Sequence, residues 1–105
     1  MINEFEIEQI ASHMYGIEYD WWQIVCGKYS VGCIKGLSDG PSVTINSIII
    51  YPEYKGKGYD AEVVRSLQKT FKTIISDNTH FRKSAFWKQL GFHQDESGRY
   101  EWNAE

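Results

Sequence analysis

The sequence predicts an α+β fold: a central, mostly antiparallel sheet with one β-α-β crossover, in the order α-β-β-β-α-β-α-β-β. Three observations carry this reading. A stretch rich in Trp, Tyr, Val and Ile over residues 20–37 is broken by Gly27-Lys28, as an antiparallel hairpin would be. A β-rich run ending at Pro52 leads through a tight glycine loop into an amphipathic segment and then a second β-rich run, Thr73-Ile74-Ile75-Ser76. A final pair of short runs flanks the turn Glu96-Ser97-Gly98. With 105 residues, 42% hydrophobic and 24% charged, the chain is expected to form one domain over residues 1–105 with a packed core.

Taken in order, Asn3 and Glu6 resemble a capping box, and Ile7, Ile10, Ala11 and Met14 follow at helical spacing, so a short first helix is expected to end near Gly16. The hairpin over 20–37 follows. Ser38-Asp39-Gly40-Pro41-Ser42 is a concentrated turn signal that delivers the chain into a third strand over 43–51. In that strand Val43 and Ile45 share one face while Ile48 and Ile50 share the other, with Asn46-Ser47 between them. A side-chain period of two allows this in two ways: a strand covered on both faces, or an extra residue in the ladder. Ala61, Val64, Leu67 and Phe71 carry the stripe of the next helix, and Thr73 to Ser76 returns parallel to the third strand. Asn78 or Thr79 is placed to cap a last helix through Phe81, Ala85 and Trp87 to Leu90, stopped by Gly91.

The cysteines do not pair on this reading. With Gly27-Lys28 as a two-residue turn, Cys26 faces Tyr29 and Cys33 faces Trp22, about 13 Å away at the usual strand rise and beyond disulfide reach. His13, His80 and His93 share no spacing that builds a metal site. A net charge of -3 argues against a sequence-independent grip on nucleic acid. No apolar run approaches the roughly 20 residues of a bilayer crossing, and Met1-Ile2-Asn3-Glu4-Phe5-Glu6 lacks the blocks of a secretion signal, so a cytoplasmic protein without membrane partners is expected.

Chemistry concentrates in the loop Lys55-Gly56-Lys57-Gly58-Tyr59-Asp60. Its glycines allow backbone N–H groups to turn inward, and the helix that follows adds a positive dipole end, together an anion cradle. It is neither a P-loop nor a dinucleotide fingerprint, because the Gly-Lys-Ser/Thr ending and the third glycine are absent. An acidic aromatic cluster, Glu18, Tyr19, Asp20, Trp21 and Trp22, reads as a strand edge whose aromatics enter the core, or as a receiver of a cationic amine.

The run Ile48-Ile49-Ile50-Tyr51-Pro52-Glu53-Tyr54, the glycine loop, the amphipathic helix and the later Phe86-Trp87-Lys88-Gln89-Leu90-Gly91-Phe92 together resemble the GNAT superfamily of acyl-CoA N-acyltransferases, over roughly residues 23–102. The resemblance implies acetyl-CoA as cosubstrate, with its pantetheine arm on backbone N–H groups of Ile48, Ile49 and Ile50. Its pyrophosphate would rest on Lys55, Gly56, Lys57, Gly58, Tyr59 and Asp60, and Trp87 would stand at the cofactor site. The family's bulge in the equivalent strand falls at Asn46-Ser47. An acetyl group would pass to an amine, of a small molecule or of a protein, in the gap between the third and fourth strands, and a homodimer is left open.

Departures from the family pattern are specific. Lys55 stands where Arg or Gln is usual, Asp60 at the final Gly/Ala position, and Thr44 where many members carry a basic carboxylate. Trp87 replaces a Tyr that serves as general acid, and His80 and Lys83 stand where Asn and Ala are common. No catalytic residue is assigned. The family's first strand and most of its first helical segment are expected to be missing. Two other readings stand beside acetyl transfer: a GNAT-fold binding or regulatory module without turnover, and an interaction protein that uses the aromatic hairpin as its interface.

Overall fold

The computed structural model describes residues 5–12, 19–76 and 84–104. The described strands form a seven-stranded sheet in the order β1-β2-β3-β4-β5-β7-β6. β1 (Phe5–Ser12), β2 (Asp20–Cys26), β3 (Tyr29–Asp39) and β4 (Ser42–Ile50) make an antiparallel meander. Helix α1 (Tyr59–Thr70) then crosses over to β5 (Thr73–Ser76), which pairs parallel to β4. Helix α2 (Ser84–Gln89) leads to the hairpin β6 (His93–Gln94) and β7 (Tyr100–Asn103), with β7 antiparallel to β5. The α+β class and the parallel crossover are as the sequence predicts.

The expected first helix is a strand, so the element order begins β-β-β-β and a strand precedes the meander where none was expected. The physical reason lies in the ladder. Phe5-Glu6-Ile7-Glu8 alternates at the strand period, but the β1/β2 register shifts between Gln9 and Ala11, leaving Ile10 as an extra residue. That insertion moves the later apolar positions to spacings of three and four, which imitate a helix. The proposed cap at Asn3, the end at Gly16 and the last helix's start at Asn78 or Thr79 lie outside the described residues, as do His13, Glu18, His80, Phe81 and Lys83.

A second shift corrects the cysteine geometry. Ile24 pairs with Gly32 but Val25 with Ser30, so Val31 is an extra residue and Cys33 faces Gln23 instead of Trp22. Both cysteines are free. A third shift resolves the parity break in β4: Gly36 pairs with Ile45 and Lys35 with Ser47, so Asn46 is the inserted residue. Val43, Ile45, Ile48 and Ile50 are consequently all buried in one core.

That core lies under both helices. Val63, Val64 and Leu67 of α1 pack with Trp22, Ile24, Ile34 and Ile74 of the sheet, and Gln68 Nε2 of α1 donates to the Leu90 carbonyl at 2.8 Å, tying the end of α2 to α1. Trp22 enters the core as expected of an edge aromatic, whereas Trp21 is only half-buried on the other face, where Lys35 Nζ lies 5.9 Å from its ring and 4.5 Å from that of Tyr19. None of the described helices is long and apolar enough to cross a membrane. Among the described residues no group of three metal-ligating side chains comes together.

Close approach of β3 and β4 at the bulge depends on glycine. A Cβ on Gly36 would overlap the carbonyl oxygen of Thr44. Gly36→Ala is therefore expected to destabilise the fold by roughly 1–3 kcal/mol, as overpacking does. In a chain of this size each kcal/mol lowers the melting midpoint by about 4–8 °C, read by circular dichroism.

The β6–β7 turn is held by Asp95, whose Oδ1 accepts from the Ser97 hydroxyl at 2.7 Å and from the Ser97 and Arg99 N–H groups at 2.9 Å each. These hydrogen bonds, the Ser97 hydroxyl foremost, hold its carboxyl below the ordinary carboxylate value. A carboxylate favoured in the folded chain stabilises above its unfolded pKa and loses that contribution as pH falls through the folded value. Asp95→Ala should thus melt below the parent at pH 7, and the gap should narrow in melts taken from about pH 4 downward.

Candidate functional site

The site begins at the carboxyl end of β4. Among the described residues β4 pairs with β5 from Ser42/Thr73 to Ile45/Ser76, and the Asn46 bulge follows on β4 immediately after the last of these rungs. Tyr51 N–H donates to the Val31 carbonyl at 2.9 Å, which fixes the side that faces β3. Backbone groups alternate along a strand, so Ile49 turns its N–H to β3 while Ile48 and Ile50 turn theirs away from it. Their side chains remain in the core, 3% and 6% exposed, whereas Ile49 is 43% exposed on the opposite face.

Pro52 ends the strand and opens a single 3-10 turn, Pro52–Tyr54, closed by Lys55 N–H on the Pro52 carbonyl. Gly56 and Gly58 follow at φ +81° and +76°, a left-handed conformation that only glycine adopts without strain. A Cβ at either position would meet nothing within 4 Å, so the loop's surface there is open. Among the described residues, no carbonyl accepts from the N–H groups of Gly56, Lys57 or Gly58 in this turn. Gly58 is the N-cap of α1 and offers no side chain to it. Backbone donors of the loop therefore lie beside the positive end of the α1 dipole.

These pieces enclose a cleft of about 500 Å³ lined by Ile48, Ile49, Ile50, Lys55, Gly56, Gly58, Tyr59 and Asp60, together with Tyr54. Eight of the ten residues singled out in the sequence thus meet in one place. Lys57 lines a neighbouring cavity of about 540 Å³ with Lys28, Tyr29 and Glu53, and the two cavities share Tyr54 and Tyr59 as a wall. Sequence reasoning passed over Tyr54; its place between the strand-ending Pro52 and Gly56, with its ring centroid 6.2 Å from that of Tyr59, is the signal that could have found it.

Trp87 does not reach the cleft. It is fully buried, 5.0 Å from Phe86 and from Phe92 and stacked on Tyr100 at 6.2 Å, so it is a core residue and does not line this cleft. Asp60 is at the cleft but is engaged: its Oδ1 accepts from the Ala61 N–H at 2.9 Å. This carboxylate caps the first turn of α1 and takes up a donor that an anion at the helix end would otherwise use. Thr44 pairs with Leu37 and Ile75, so the strand position that would carry a base holds a neutral hydroxyl.

No family profile and no curated protein matches the chain by sequence. Solved structures do match it in shape. An acetyltransferase from Thermus thermophilus superposes with a TM-score of 0.62 at 12% identity, covering 95% of this chain and 97% of that one. A Bacillus subtilis acetyltransferase in complex with CoA gives 0.62 at 12% identity, with 99% and 100% covered. A GNAT family acetyltransferase from Elizabethkingia anophelis with acetyl-CoA bound gives 0.56 at 13%, with 74% and 56% covered. The chain therefore has the GNAT fold.

Proposed function

We propose that the chain binds acetyl-CoA in the cleft between the β4 end and the α1 N-terminus and transfers the acetyl group to an amine of a small molecule or a protein. The observation that carries this reading is the convergence of the β4 end at Ile48 to Ile50 and the open Gly56–Gly58 loop on one cleft at the start of α1. Likeness to folds crystallised with CoA or acetyl-CoA supports it.

The residues present fit such a ligand. The N–H groups of Gly56, Lys57 and Gly58 lack acceptors among the described residues, and Lys55 adds positive charge at the rim, so a pyrophosphate finds donors without displacing a side chain. Ile48 and Ile50 offer strand-type donors and acceptors to an extended amide-bearing arm, in the manner of an added β-strand. When bound, acetyl-CoA supplies an activated thioester. The chain contributes position and a polarising N–H at the end of β4, since β4 offers no carboxylate to take the proton of an ammonium. The acceptor accordingly reacts as its free amine.

A second reading, a binding module without turnover, draws on three observations: Asp60 caps the helix end, Thr44 replaces a base, and Trp87 is sealed in the core. Incubation with acetyl-CoA and a panel of amines, followed by mass spectrometry, separates the two readings. Acetylated product rules out the second.

Acetyl-CoA at millimolar concentration should raise the melting midpoint of the parent chain by several degrees, because a ligand of the folded state shifts the equilibrium by mass action. Gly58→Glu should abolish that rise while the variant still folds, since the new side chain meets open space and the left-handed backbone costs only about 1–2 kcal/mol. An undiminished rise would place the ligand elsewhere. Asp60→Asn, which keeps an acceptor for the Ala61 N–H and removes the charge, should tighten acetyl-CoA several-fold in calorimetric titration; weaker binding would mean that the carboxylate helps the site.

A further inference from the structure

Beyond the wall of Tyr54 and Tyr59 lies the second cavity, whose volume of about 540 Å³ falls within the range of small-molecule sites, about 300–1,000 Å³. Its floor is apolar: Cys26 and Val31 are 7% and 1% exposed. Val31 is the residue inserted into β3, and its carbonyl accepts from the Tyr51 N–H at 2.9 Å, which ties this end of the β2–β3 hairpin to the start of the loop after β4. Three kinds of group stand around that floor. Lys28 comes from the hairpin turn and Lys57 from the glycine loop. Tyr29, Tyr54 and Tyr59 supply rings; Tyr29 is 57% exposed, with Lys28 Nζ 5.9 Å from its ring centroid. Glu53 adds a carboxylate. Among the described residues neither lysine forms an ion pair with Glu53 or with any other acid.

Each kind of group restricts the ligand. Two cations against one anion favour a negative ligand, and lysine ammoniums hold phosphate as point charges. A bare phosphate or a sugar phosphate leaves the tyrosines and the apolar floor uncovered, whereas a planar base covers them by stacking. The Glu53 carboxylate accepts only from hydroxyl or amino hydrogens, so an aromatic acid without such donors meets it unfavourably. A phosphate, a planar base and a hydroxyl-bearing sugar together satisfy all three.

We propose that this cavity binds a nucleoside monophosphate, with its phosphate held by Lys28 and Lys57, its base against the tyrosine rings and its hydroxyl or amino donors toward Glu53. The proposal does not rest on the acetyl-CoA reading. Of the two cavities, Lys28, Tyr29 and Glu53 line the second alone, and Lys55 and Asp60 the first alone. Nucleotide and cosubstrate are therefore bound side by side, on opposite sides of the Tyr54–Tyr59 wall.

Calorimetric titration of the parent, Lys28→Ala and Tyr29→Ser with adenosine monophosphate, and with inorganic phosphate as control, tests this. Both substituted positions are exposed at the hairpin turn, so the variants keep the fold, which circular dichroism checks. The parent should bind the nucleotide about tenfold or more tightly than phosphate, because the base stacks. Lys28→Ala should weaken the nucleotide about 5- to 10-fold, and Tyr29→Ser about tenfold with phosphate unaffected. The melting shift given by acetyl-CoA should be the same in all three chains. No binding of the nucleotide, equal affinity for nucleotide and phosphate, or nucleotide binding that both variants retain in full would each overturn the proposal. So would loss of nucleotide binding in saturating acetyl-CoA, since the nucleotide would then be occupying the cosubstrate's own site.

Discussion

Asn46 is an inserted residue in the β3/β4 ladder, and the geometry of the cleft depends on it. Were Asn46 an ordinary rung of the ladder, Ile48 and Ile50 would fall on the face that carries Thr44, and the core beneath α1 would lose two isoleucines. As a bulge it leaves their side chains in the core. Its neighbour Gly36 admits the close approach of the Thr44 carbonyl, so a side chain too few on β3 accompanies a residue too many on β4.

The second constraint is electrostatic. A turn with two left-handed glycines and a helix N-terminus points partial positive charge at one spot, and Lys55 adds a full one. Asp60 opposes them from within the first helical turn. Its carboxylate already accepts from the Ala61 N–H, so one donor of the first helical turn is taken up within the chain.

Much of this was legible in the sequence. The Gly27-Lys28 hairpin, the crossover, the parity break and the glycine loop are local patterns, each set by residues close together in the chain. What was not legible involves insertions whose partner lies on another strand. Ile10 and Val31 each add one residue to a ladder, and each misleads a reading that assumes unbroken registers: the first imitates helical spacing, the second shifts Cys33 by one row. Trp87 was misplaced for a different reason. A motif position says which element a residue occupies but not whether its ring turns to the ligand, and here Phe86, Phe92 and Tyr100 enclose it.

The glycine loop and the end of β4 present main-chain donors, which every residue except proline carries. A recognition surface of that kind places few demands on side chains: small residues where the turn is left-handed, one insertion in a strand, and a helix that starts on time. Mutation can replace nearly everything else along Tyr51 to Asp60 while the donors stay where they are. Chains built this way are free to diverge widely in their letters while the turn and the bulge keep their backbone geometry.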